Sequence, residues 1–193
     1  RLTHLRLHIY PDGGVARLKV YGDVIPNWSS VGENDQIDLA GVQYGGLVLG
    51  CNDMFFSSKD NLIMPGRGVD MGDGWETKRR RGPGHDWAVL RLGAVGKLAK
   101  IEVDTHHFKG NFPDRFSLEG LLAPKDSYDE VLKSEKWEMI MPETKLTAHN
   151  QHYFEKEISA AGPFSHVRMN IYPDGGISRL RIIGTAQEKI AGV

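Results

Sequence analysis

The chain has 193 residues and a formal net charge of −1, with 25% charged and 40% hydrophobic residues, 23 glycines and 9 prolines. That length and balance suit a soluble folded chain of about one domain with a sizeable core. They exclude a nucleic-acid binder driven by net charge and an acidic disordered tail.

The lone cysteine, Cys51, rules out an internal disulfide framework and points to a reducing compartment. It reads as a small buried apolar residue rather than a nucleophile. The longest charge-free apolar stretch, 39–52, has only 14 residues and four glycines, so no membrane partner is expected. The opening residues show no signal-peptide pattern, and a chain starting at Arg1 reads as a piece of a longer protein.

In chain order, His4 to Tyr10 alternate polar and apolar residues, the period of a strand with one buried face. Pro11-Asp12-Gly13-Gly14 is turn chemistry, and 16–21 resume a strand, so 2–22 reads as a β-hairpin. Ser29 to Asp35 reads as a connection. Short strands are expected at 88–92 and 98–103, flanking a turn at Gly93 to Gly96, and again at 115–122. Only 128–137 suits more than a turn or two of helix, and 150–163 reads as a further connection. Many short strands between Gly, Pro and Asp turns predict a mainly β chain, an antiparallel sandwich or jelly roll.

An internal repeat organises the chain. LTHLRLHIYPDGGVARLKVYG (2–22) returns as FSHVRMNIYPDGGISRLRIIG (164–184), with 11 of 21 positions identical and an offset of 162 residues. Residues 1–22 then read as the tail of one module, 23–184 as a complete second module, and 185–193 as a C-terminal tail. The hairpin at 2–22 lacks the rest of its own module, so it is expected to be disordered or taken up by another surface.

The densest chemistry lies in GRGVDMGDGWETKRRRGPGHDW (66–87), where Asp70, Asp73 and Glu76 precede Lys78, Arg79, Arg80 and Arg81, followed by His85 and Asp86. Six glycines and a proline preclude a single helix or strand and predict a loop system close to a ligand. The bland readings are a solvated basic face and turn-capping carboxylates. The neighbouring carboxylates would repel phosphate, so nucleic acid is not the expected partner. A second polar loop follows in IEVDTHHFKGNFPD (101–114), with Asp104, His107, Lys109 and Asn111. In an extended chain His106 and His107 point to opposite sides, so only one of them can face a ligand. His149 and His152 are spaced to chelate on a helical turn, though isolated histidines are more often surface residues. No H-x-H, H-E-x-x-H, C-x-x-C, P-loop, dinucleotide fingerprint or G-x-S-x-G motif occurs, so no metal ligand or cofactor is assigned; a divalent metal stays open.

The segments NLIMPGRGVDMGDGWETKRRRGPGHDWAVLRLG, IEVDTHHFKGNFPD and the duplicated IYPDGG stretch resemble the allantoicase family (allantoate amidinohydrolases) across residues 2–184. The resemblance implies duplicated jelly-roll modules of the galactose-binding-domain type. It also implies hydrolysis of allantoate to ureidoglycolate and urea, in purine (allantoin) degradation. A small-molecule substrate, a homo-oligomer and a cytoplasmic or peroxisomal setting go with it. Against that chemistry Asp73, Glu76, His85 and His107 are the catalytic candidates. Asp70, Arg79, Arg80, Asp86, Asp104, Lys109 and Asn111 are the substrate-binding candidates. Arg79 or Arg80 would hold the substrate carboxylate, Asp73 or Glu76 would act as base, and His107 or His85 as acid. The family pattern reads D-T-x-H-F with a small residue at x; here His106 stands there, which makes His107 the matching histidine. The rival readings are a non-catalytic jelly-roll ligand-binding module, an inactive fragment, and a basic run that serves as a subunit interface.

Overall fold

In the computed structural model, which describes residues 2–22 and 24–189, ten strands and one α-helix carry the fold. The strands are β1 Gln36–Asp38, β2 Leu47–Cys51, β3 Trp75–Glu76, β4 Asp86–Asp104, β5 Arg115–Leu121, β6 Glu138–Lys145, β7 Gln151–Phe154, β8 Phe164–Tyr172, β9 Gly176–Ile177 and β10 Arg179–Lys189. Helix α1 spans Tyr128–Lys133, begun by a Ser127/Glu130 capping box, and its Val131 packs with Val89 and Leu121.

The 19 residues of β4 tie the architecture together. Its first half pairs with β8, from Asp86↔Ile171 to Arg91↔His166, and with β2 on the other side. Its second half pairs with β10, from Ala94↔Lys189 to Asp104↔Arg179, and with β7. One strand therefore passes from a β6-β5-β8-β4-β2 layer into a β1-β10-β4-β7 layer, the way strands turn a corner in a sandwich. Leu90 and Leu92 from the first half share one buried core with Ile101 and Val103 from the second, along with Val167, Met169, Ile171, Leu180 and Ile182.

The antiparallel sandwich agrees with the sequence expectation, but Gly93 to Gly96 is a corner within one strand rather than a turn between two. Backbone contact explains these glycines. A Cβ on Gly93 would lie 1.9 Å from the Tyr44 carbonyl oxygen, and one on Gly96 would lie 2.8 Å from the Thr185 carbonyl oxygen. Two further expectations change. The 150–163 connection contains β7. Strand β10 runs on to Lys189 against β4, while 190–193 lie outside the described residues. Most plainly, 2–22 forms no strand and is exposed throughout. Its second copy pairs with β4 and β5, whereas the alternating apolar residues of 2–22 pair with no strand among the described residues.

Candidate functional site

The second copy of the repeated turn, Pro173-Asp174-Gly175-Gly176, holds the charged loop in place. Gly175 and Thr77 exchange hydrogen bonds: Gly175 N donates to Thr77 Oγ1 at 3.1 Å and Thr77 N donates to the Gly175 carbonyl at 3.2 Å. The pairing continues as Glu76↔Gly176 and Trp75↔Ile177, and Arg80 N donates to Asp174 Oδ2 at 2.8 Å. On its other side the turn meets the 108–113 loop, where Gly176 N donates to the Asn111 carbonyl at 2.8 Å. Gly175 has φ +137°, and a Cβ there would lie 2.7 Å from that same carbonyl oxygen, so the close approach requires glycine.

These contacts bring Glu76, Arg79, Arg80 and Asn111 into one cleft of about 500 Å³, together with Asp114 and Asp174. Asn111 Nδ2 donates to Glu76 Oε1. Arg80 is partly engaged: its Nη2 donates to the buried Asp86, to which Asn52 Nδ2 also donates at 2.9 Å, while its buried Nε has no hydrogen-bond partner among the described residues. Asp86 raises the Arg80 pKa through that hydrogen bond. Arg79 is exposed, and among the described residues its guanidinium has no hydrogen-bond or ion-pair partner. Lys78 pairs with Asp53 at 3.4 Å, and Arg81 is exposed.

The remaining candidates sit elsewhere. Asp70 caps a short 3-10 turn, accepting from Asp73 N at 3.1 Å. Asp73 Oδ2 accepts from Arg179 Nη2 at 2.9 Å and from Val69 N at 3.1 Å. Burial pushes the Asp73 carboxyl up, but Arg179, the Val69 N–H and His107 outweigh it and hold it below the usual carboxylate range. Asp73 therefore ties its loop to Arg179. Asp104 is fully buried and accepts from Arg67 Nε at 3.2 Å and from His106 N at 2.8 Å. Lys109 is exposed. His85 lines a different cleft, beside Tyr172.

The histidines depart from the extended-chain reading. His107 has φ +71°, which turns its ring toward its neighbour's; the His106 and His107 ring centroids are 4.0 Å apart. His149 joins them from the turn that leads into the neighbouring β7, 4.3 Å from the His106 ring, with its Nδ1 accepting from His107 N at 2.9 Å. Burial, followed by Arg67, His107 and His149, lowers the His106 pKa. His107 Nε2 lies 3.0 Å from the Gly68 carbonyl and so carries the proton of that contact. The His149/His152 pair does not chelate on a helix: His149 takes a left-handed turn at φ +52°, and His152 sits on β7, bonded to Val103 and Thr147. Cys51 is half-buried, and burial pushes its thiol pKa up, which suits packing rather than nucleophilic attack.

Sequence reasoning missed Asp174 and Arg179. For both a signal was present, since they belong to the repeated stretch, but it was legible only as turn and strand chemistry.

The fold and the cleft define a jelly-roll module with a charged cleft among its loops. The fold alone is shared with the galactose-complexed family 32 carbohydrate-binding module of C. perfringens NanJ, at 10% identity and a TM-score of 0.51 over 72% of this chain and 93% of that one. The family model described as "Allantoicase repeat" matches residues 1–25 and 37–187, and the chain belongs to the allantoicase family. A probable allantoicase of Pseudomonas fluorescens (strain SBW25) is 51% identical over 184 residues, 94% of this chain and 55% of the relative. The crystal structure of allantoicase from Saccharomyces cerevisiae aligns with a TM-score of 0.75 at 42% identity, over 91% of this chain and 49% of that one. The chain thus spans about half the length of the relatives it matches.

Proposed function

We propose that the protein hydrolyses allantoate to ureidoglycolate and urea, in purine (allantoin) degradation. The observation that carries this reading is the Arg79 guanidinium, without a partner among the described residues, in the same cleft as the Glu76–Asn111 pair, in a chain of this family. Allantoate bears one carboxylate and two ureido groups on its α-carbon. Arg79 takes the carboxylate as a charge-assisted, bidentate pair. The amide of Asn111 spends its Nδ2 on Glu76, which leaves Oδ1 to accept a ureido N–H. Glu76 takes a proton from the attacking water and hands it to the departing ureido nitrogen; a C–O bond forms at the α-carbon, the C–N bond breaks, and urea leaves.

In this reading 23–184 form a second module, 1–22 the end of a first, and 185–193 a C-terminal segment. The 162-residue repeat offset, the two separate stretches matched by the family repeat and the unpaired 2–22 segment support it. The protein acts as a cytoplasmic homo-oligomer; the exposed Phe55 and Phe56, next to the cleft, are the apolar surface that supports self-association.

The test is urea release from allantoate by this chain and by a longer chain carrying a complete first module ahead of it. Release that disappears with Glu76→Gln supports the proposal. No release from either chain overturns it.

A further inference from the structure

Three imidazoles lie in the seam between the 105–111 loop and the 147–150 turn, and the proposed hydrolysis uses none of them. Ordinary backbone bonds lace the seam. Thr105 N donates to the Asn150 carbonyl at 2.9 Å, Thr105 Oγ1 to the Thr147 carbonyl at 2.7 Å, and His149 N to the Phe108 carbonyl at 3.1 Å. One further tie is of another kind: the His107 N–H donates to a ring nitrogen, Nδ1 of His149, at 2.9 Å. A ring nitrogen accepts only while it keeps its lone pair, so this bond requires the neutral His149 ring with its proton on Nε2. A second proton would sit on Nδ1 and face the His107 N–H, donor against donor. His107 differs, because its own Nε2–H donates to the Gly68 carbonyl at 3.0 Å and a second proton leaves that bond intact.

The charges around the seam oppose that second proton. His149 stacks on His106, with ring centroids 4.3 Å apart and 25° between the planes, and the His107 ring is 5.9 Å away. Arg67 faces His106 from the charged loop, and Lys109 is exposed on the 105–111 loop itself. The carboxylates that reach the cluster are already engaged. Asp104 accepts from Arg67 Nε at 3.2 Å and from the His106 N–H, and Asp73, whose field His107 feels, accepts from Arg179 at 2.9 Å. Further along the strands, Glu102 accepts from Gln151 Nε2 at 2.8 Å, and Tyr153 lies in the field of Arg67 and Asp104. His152 on β7 accepts from Thr147 N at 2.9 Å and its Nδ1 lies 3.0 Å from the Val103 carbonyl, so it closes its own turn onto β4 and does not reach the 105–111 loop's His107. Burial, then Arg67, His107 and His149, lower the His106 pKa, which shows how the cluster treats added positive charge.

The His107 backbone stands four residues before Asn111, whose Nδ2 donates to Glu76 and whose carbonyl accepts from Gly176 N at 2.8 Å. We infer that His149 is a pH-responsive latch on the loop that carries Asn111: with its ring neutral it holds the His107 N–H, and on taking a proton it lets that loop go. The latched loop binds one proton fewer than the released one, so falling pH favours release and rising pH restores the latch. The inference rests on these hydrogen bonds and not on the proposed hydrolysis.

The test is NMR of the whole chain, following the histidine ring nitrogens and the His107 amide from about pH 8 to about pH 5. At the upper end His149 is expected to carry its proton on Nε2, with Nδ1 bare. As that ring takes its second proton, protection of the His107 amide, corrected for intrinsic exchange, should fall about tenfold or more, and the Asn111 side-chain amide should shift with the same midpoint. His149→Asn places a carboxamide oxygen where Nδ1 stood and suits the φ of +52°, so it should keep the His107 amide protected across the range. The parent's own tautomer and protection decide the matter if that variant folds poorly. A proton on His149 Nδ1 at the upper end, His107 protection that ignores the His149 midpoint or follows that of another histidine, or the same loss in His149→Asn overturns the inference. Urea release from allantoate that persists alongside such a failure leaves the proposed hydrolysis standing.

Discussion

Asp174 Oδ2 accepts the backbone N–H of Arg80 at 2.8 Å across 94 residues of chain, tying the repeated turn to the basic loop. Asp174→Ala removes that acceptor and should destabilise the protein by about 1 kcal/mol while raising the KM for allantoate. Asp174→Asn keeps an acceptor oxygen at the same place and should restore most of both. Urea denaturation and steady-state assays of the two variants separate the loop-holding role from a general loss of fold.

Arg79 and Glu76 should respond differently. Arg79→Ala should weaken allantoate binding about 10- to 100-fold and leave stability within about 0.5 kcal/mol, because the side chain is exposed and unpaired among the described residues. Glu76→Gln keeps the shape of the Asn111 contact and should lower kcat by about 10²- to 10⁴-fold. Isothermal titration and initial rates on the same preparations check both.

His166 sets an acid limit on stability. Burial and then the neighbouring Arg91 lower its pKa to about 4 from an ordinary 6.5. Between those values the unfolded chain binds the proton and the folded chain does not, so stability falls as pH drops from 6.5 towards 4 and this loss levels off below that. A difference of that size corresponds to about 3 kcal/mol. Denaturation midpoints across this window should fall less steeply in His166→Gln than in the parent.

Gly176 is confined by Phe108. A Cβ at 176 would lie 2.0 Å from the Phe108 ring, which is itself fully buried. Gly176→Ala should therefore cost about 1–3 kcal/mol and loosen the β3–β9 pair that carries Glu76, lowering activity as well as Tm. Restoring space with Phe108→Leu in the same chain should recover part of the loss.

The strand-like runs and turn residues were enough to read a mainly β sandwich, because short apolar runs at 88–92 and 98–103, bounded by Gly, Pro and Asp, are local signals. The charged loops were legible as a candidate site for the same reason: glycines and mixed charges cannot form a core. What remained hidden depends on partners far along the chain. Arg179 reaches Asp73 over 106 residues, and no local pattern marks such a pair. The His106/His107 reading failed on a single dihedral, the positive φ of His107, which the residue type does not announce. The hairpin at 2–22 failed for the opposite reason. Its pattern is that of a strand pair, but a pattern forms a sheet only when neighbours supply the other half of each hydrogen bond.

The corner in β4 has a mechanical consequence. Asp86, which anchors Arg80, and Asp104, which anchors Arg67 and the His106 backbone, are the two terminal residues of one unbroken strand, each set in a different layer. The two loop systems therefore share a single hinge pin, and its bend lies at Gly93 and Gly96, remote in sequence from any residue of the cleft. A side chain forced into that bend would shift one layer against the other and misalign both anchors at once, disabling the cleft without touching it.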